Sequence, residues 1–88
     1  MAKIPVTIYT LPNCVQCEST KRLMTKLGIE FSVVDLTTVP DKVAEFRELG
    51  LTAAPIVTTD IKIWSGFRHG KIQSLAHHIF SQDRHEPK

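Results

Sequence analysis

Val6-Thr7-Ile8-Tyr9-Thr10-Leu11-Pro12-Asn13-Cys14-Val15-Gln16-Cys17 is the stretch that decides this 88-residue chain. Residues 4–9 are rich in β-branched and aromatic side chains and predict a strand, while Leu11-Pro12-Asn13 has the chemistry of a turn. From Val15 the pattern becomes helical: Thr20, Leu23, Met24 and Leu27 recur at i, i+3, i+4 and i+7, with Glu18, Lys21, Arg22 and Lys26 on other faces. The only two cysteines therefore sit where a strand hands over to a helix. A helix N-terminus gathers unpaired N–H groups and partial positive charge, which favour a thiolate. Two thiols with two residues between them can close a small ring, one attacking a foreign disulfide and the other releasing it. The residues point to dithiol–disulfide exchange, with Cys14 attacking and the more shielded Cys17 resolving.

Outward from this stretch, Gly28 is placed to end the first helix in a left-handed cap. Residues 31–36 predict a second strand, dense enough in apolar residues to be buried on both faces. Pro40 suits the first turn of a second helix whose inner face is Val39, Val43, Phe46 and Leu49, with Gly50 ending it. Residues 56–58 and 61–64 predict two strands joined by a tight turn near Asp60, hence an antiparallel hairpin. Ser65-Gly66 turns the chain again, and Ile72, Leu75, Ala76 and Ile79 mark a last helix. The expected fold class is α/β, in the order β-α-β-α-β-β-α: a parallel crossover unit plus a hairpin, making a four-stranded mixed sheet flanked by helices. Residues 1–80 are expected to form a single domain, and residues 81–88 a polar, frayed tail.

Composition sets the bounds. The apolar fraction of 42% and charged fraction of 23% are ordinary for a globular domain. A formal net charge of +2 with scattered Lys and Arg argues against nucleic acid. No apolar run reaches the roughly 20 residues that span a bilayer, and no secretory signal is evident. The expectation is a cytoplasmic, monomeric protein without membrane contact, in a compartment where close cysteine pairs are catalytic, regulatory or metal-binding. Zinc is the competing reading of the pair. It needs two further ligands, and His69, His77, His78 and His85 lack the spacing that commonly supplies them. Glu18 in the first helical turn opposes a Cys14 thiolate, and Lys21 one turn on partly offsets it.

Cys14-Val15-Gln16-Cys17, Thr20-Lys21, Ala54-Pro55 and Trp64-Ser65-Gly66-Phe67-Arg68, in this order, resemble the NrdH-redoxins of the thioredoxin superfamily, over residues 4–80. The resemblance implies a thioredoxin-like fold and a redox-active disulfide between Cys14 and Cys17, with no tightly bound cofactor and no metal. It implies class Ib ribonucleotide reductase as electron acceptor, and thioredoxin reductase, fed by NADPH, as electron donor. It marks Val15, Gln16, Ala54, Pro55, Trp64, Ser65, Gly66, Phe67 and Arg68 as partner-contacting. It also implies a cis bond before Pro55, an isomer found in only about 5% of X–Pro bonds.

Two departures stand out. Leu11 replaces the Lys or Arg of many relatives, and His69-Gly70 replaces a frequent Pro and acidic residue. Trp64 and Phe67 are either core aromatics or bulk that, with Arg68, fills the cleft where glutathione-using glutaredoxins carry Gly-Gly and acidic residues. Arg68 is either a partner for an acidic group or a solvated helix-start residue. The rival functions are a glutathione-dependent glutaredoxin and a non-enzymatic redox-sensing regulator on the same fold.

Overall fold

Alternation along residues 6–9 sends Val6 and Ile8 to one face of a sheet and Tyr9 to the other. In the computed structural model, which describes residues 4–83, this strand is β1 (Thr7–Thr10). It is followed by α1 (Val15–Lys26), β2 (Ser32–Asp35), a 3-10 turn (Leu36–Thr38), α2 (Pro40–Glu48), β3 (Ile56–Thr58), β4 (Ile63–Ser65) and α3 (His69–Asp83). The sheet runs β2-β1-β3-β4. β1 pairs parallel to β2 and antiparallel to β3, and β3 pairs antiparallel to β4. The expected order and mixed sheet are therefore what the chain adopts, and the fold is thioredoxin-like.

Two cores fill the two faces. Val6, Ile8, Met24, Ile29, Val57, Trp64, Ile72 and Leu75 form one, which brings α1 and α3 together. Leu36, Phe46 and Ile56 form the other under α2, with Tyr9 meeting Phe46 edge-on at 4.9 Å between ring centroids. Each fully buried Ile or Met side chain contributes roughly 1.5–3 kcal/mol by leaving water.

Four expectations need correction. The second strand is not buried on both faces: β2 lies at the sheet edge, and Val33 is 48% exposed although its register partner Ile8 is buried. An apolar run reports hydrophobicity, and only strand order says which strand is central. The hairpin's second strand begins at Ile63 rather than at Ile61, because Thr59 closes the turn. Its Oγ1 accepts from the Ile61 and Lys62 N–H groups, and its N–H donates to the Lys62 carbonyl. Leu49, expected on the inner face of α2, is 64% exposed, and Leu51 packs there instead. Finally, α3 continues through Ser81 to Asp83, where polar composition had suggested the start of a tail; residues 84–88 lie outside the described residues.

The Leu49 and Leu51 exchange has a clear cause. Gly50 has φ +82°, the Gly50 N–H donates to Arg47 O at 3.0 Å, and the Leu51 N–H donates back to Phe46 O at 2.8 Å. This Schellman closure folds the residue after the glycine onto the last inward side chain of the helix. Gly28 (φ +78°) ends α1 identically, with Ile29 N–H donating to Met24 O at 2.9 Å. At the end of β2, the exposed Asp35 carboxylate accepts from the Thr37 N–H and hydroxyl. Those bonds hold its pKa below the usual aspartate value, so their support is present above that range and is lost as pH falls through it.

A Cβ at Gly50 would meet nothing within 4 Å. Gly50→Ala therefore isolates the left-handed backbone cost, and chemical denaturation is expected to show a loss of about 1–2 kcal/mol.

Candidate active site

Cys14 is the last extended residue before α1, at φ −111° and ψ 106°. Asn13 before it takes φ 58°, a left-handed conformation that asparagine tolerates and β-branched residues resist. The chain thus turns off β1 and presents Cys14 as the N-cap of the helix. Its Sγ accepts the Cys17 N–H at 3.1 Å, in the place a serine or aspartate oxygen would take. Sulfur at this position receives a donor and the positive end of the helix dipole, both of which stabilise negative charge. Cys17, one turn in, is 1% exposed, while Cys14 is half-buried and Val15 and Gln16 are exposed. The Cα atoms of the two cysteines are 5.2 Å apart and their sulfurs lie within disulfide-bonding distance. Glu18, the acidic group nearest in sequence, pairs with Lys21 at 2.9 Å, so part of its field is turned away from the sulfur.

Three segments meet around this pair. The Gln16 Oε1 accepts the Phe67 N–H at 3.0 Å. The Ser65 hydroxyl donates to the Ala53 carbonyl at 3.0 Å, and the Gly66 N–H donates to the Pro55 carbonyl at 2.7 Å. The Ala54–Pro55 bond is cis, and Pro55 is buried. Gly66 takes φ +88° at the turn. Arg68 Nε donates to the Ser65 carbonyl at 3.2 Å, so the guanidinium is directed partly back onto its own turn.

Val15, Gln16, Ala54, Pro55, Ser65, Gly66, Phe67 and Arg68 accordingly belong to linked surface or near-surface segments. Trp64 does not present its side chain there. It is 3% exposed within the core that joins α1 and α3, and its indole N–H has no acceptor among the described residues. Its place in the site is a correction: β4 alternates, so the tryptophan points inward. Phe67, past the turn, is 37% exposed and meets the His69 ring edge-on at 6.3 Å, at the first residue of α3.

Sequence reasoning missed two features. One is the Gln16–Phe67 bond, which joins residues 51 positions apart and has no local signal. The other is a groove of about 360 Å³ beside the loops, bordered by Leu11, Val43, Phe46, Leu51 and Ala54. Its sequence trace is the apolar Leu11 where a cation was the family expectation. Among the described residues no group of three or more His, Cys, Asp or Glu gathers as a metal would require, and no helix is long and apolar enough to cross a membrane.

With the geometry in place, similarity adds identity. Residues 6–64 match the glutaredoxin family model. The glutaredoxin-like protein NrdH of Salmonella typhimurium is 44% identical over 70 residues, covering 80% of this chain and 86% of that protein. NrdH of Lactococcus lactis is 35% identical over 71 residues, covering 81% of this chain and 99% of that protein. The structure of NrdH-redoxin from Escherichia coli, described as having a thioredoxin-like activity profile, superposes with a TM-score of 0.77 at 38% identity, covering 81% of this chain and 93% of that one.

The burial difference predicts the order of thiol reactivity. In the dithiol form near neutral pH, iodoacetamide is expected to modify Cys14 at least about tenfold faster than Cys17, as mass mapping of the labelled peptides would show.

Proposed function

Because the chain belongs to the glutaredoxin family, and within it to the NrdH glutaredoxin-like thiol–disulfide oxidoreductases, we propose that it is the dithiol electron donor to a class Ib ribonucleotide reductase. On this reading thioredoxin reductase and NADPH restore it, rather than glutathione, and it works in the reducing cytoplasm. The single observation carrying the donor assignment is the turn at residues 64–68. It bears Phe67 and Arg68, with its backbone tied to Gln16 and Pro55, where glutathione-using glutaredoxins carry Gly-Gly and acidic residues. A site without its polar partners loses a polar ligand steeply. The thioredoxin-like profile of the Escherichia coli relative supports the same assignment.

The reaction is a two-electron exchange. The Cys14 thiolate attacks one sulfur of the acceptor's disulfide, forming a mixed disulfide and releasing the other acceptor sulfur as a thiolate. The Cys17 thiolate then attacks Cys14 Sγ, releasing the second acceptor sulfur and leaving the Cys14–Cys17 bond. The Cys17 N–H held against Cys14 Sγ favours Cys14 as attacker, and equally as leaving group during re-reduction. Backbone pairing of an extended partner segment beside Ala54-Pro55 would supply affinity with little side-chain selectivity.

Two measurements test this. NADPH oxidation coupled to a disulfide substrate should be rapid with thioredoxin reductase and near the blank with glutathione and its reductase; the reverse would overturn the donor assignment. Cys17→Ser should trap a covalent adduct with the physiological acceptor through Cys14, while Cys14→Ser traps none. An adduct only with Cys14→Ser would exchange the two roles.

A further inference from the structure

Thr20 is the one buried polar or charged side chain among the described residues, with no exposed surface at all. It lies on α1 one turn beyond Cys17, which is itself buried. Side chains of a helix lean toward its N-terminus, so Thr20 covers the turn that carries Cys17 and Gln16, three and four residues back. A threonine in a helix ordinarily donates its hydroxyl to one of those two carbonyls. Neither receives it: Thr20 Oγ1 is buried without a hydrogen-bond partner among the described residues. Leaving such a group unpaired is costly, and a valine would fill the same space without that cost. The other orphaned donor, the Trp64 indole N–H, stands on β4 rather than on the helix of the cysteines. In this structure the Cys17 sulfur is bonded to Cys14 and is a weak acceptor. Reduction turns it into a thiolate, a strong acceptor, and the described residues offer no other buried hydroxyl, amide or charged side chain to meet it.

We propose that Thr20 is a positioning residue for the resolving step: its hydroxyl donates to the Cys17 thiolate, holding that buried sulfur ionised and in place to attack Cys14. This rests on the reading that Cys14 attacks and Cys17 resolves. In the mixed disulfide, Cys14 Sγ is bonded to an acceptor sulfur. Cys17, having given up its proton, attacks Cys14 Sγ. The Cys14–Cys17 bond forms, the bond to the acceptor breaks, and the departing sulfur leaves with the electron pair and takes up a proton. Thr20 keeps its own proton throughout. Burial by itself disfavours a thiolate at Cys17. The Thr20 hydroxyl offsets that penalty at this sulfur and not at Cys14, which has the Cys17 N–H instead. Its effect is therefore confined to the second step. A hydrogen bond to an ionised partner raises the ionised population about tenfold or more, and the accompanying fall in nucleophilicity cancels somewhat under half of that gain on a logarithmic scale.

Stopped-flow mixing of the reduced protein with dithiobisnitrobenzoate tests this, because the coloured thiolate it releases reports both steps. Attack by Cys14 releases the first equivalent at a rate proportional to reagent. Attack by Cys17 on the resulting mixed disulfide releases the second at a rate independent of reagent. Thr20→Val, which keeps the shape and loses the hydroxyl, should slow the second phase about threefold or more and leave the first unchanged. Thr20→Ser, which keeps the hydroxyl, should retain the wild-type second phase. Thr20→Ala, which lacks the methyl group as serine does, should show the slow second phase beside it, so the contrast holds even where the valine variant fails to fold. A second phase unchanged by loss of the hydroxyl, slowed equally in Thr20→Ser, or slowed only in proportion to the first would each overturn the role given to Thr20. A first phase lost in Cys17→Ser but kept in Cys14→Ser would instead overturn the assignment of roles on which this inference rests.

Discussion

The Cys17 N–H that donates to Cys14 Sγ at 3.1 Å exists only because Cys14 is the extended residue capping α1. That geometry depends in turn on Asn13 accepting a left-handed backbone and on β1 ending at Thr10. With the sulfur in the cap position, one helical turn separates an accessible sulfur from a buried one. The division of labour between attack and resolution follows from that turn. A sulfur one residue earlier would lose the donor, and one residue later would stand inside the helix rather than at its cap.

The rest of the molecule holds this handover still. Ile8, Val57 and Trp64 lie opposite one another across β1, β3 and β4, and all three are buried beneath α1 and α3. Trp64 is therefore a structural anchor for the turn that follows it, with its N–H left without an acceptor among the described residues and its aromatic area accounting for its position. The next residues reach back by hydrogen bonds to Ala53, Pro55 and Gln16, so the loops before β3 and after β4 and the first turn of α1 behave as one surface. Each bond is modest in water; their joint effect is to fix where backbone donors and acceptors point.

Legibility varied with the range of the interaction. Gly28 and Gly50 were readable as helix ends because a left-handed cap is a local backbone demand. The residue that then folds inward was not read correctly: helical periodicity put Leu49 on the inner face, whereas the cap carries Leu51 back to Phe46. The apolar second strand was visible, but its place at the sheet edge was not, since strand order arises from pairing between segments far apart in the chain. The cysteine pair was legible because its chemistry is set by two neighbouring elements. The links among the three site segments were not.

The amino-acid sequence by itself determined the element order, the mixed sheet and the placement of Cys14 and Cys17 at a helix start, because periodicity, turn residues and caps act over a few residues. Tertiary structure alone decided that Trp64 is core while Phe67 is surface, that β2 is an edge, and that Gln16 meets Phe67. Those outcomes depend on which side chains are brought together by the packing of two helices on one sheet face and one on the other, and no local pattern encodes a contact across 51 positions.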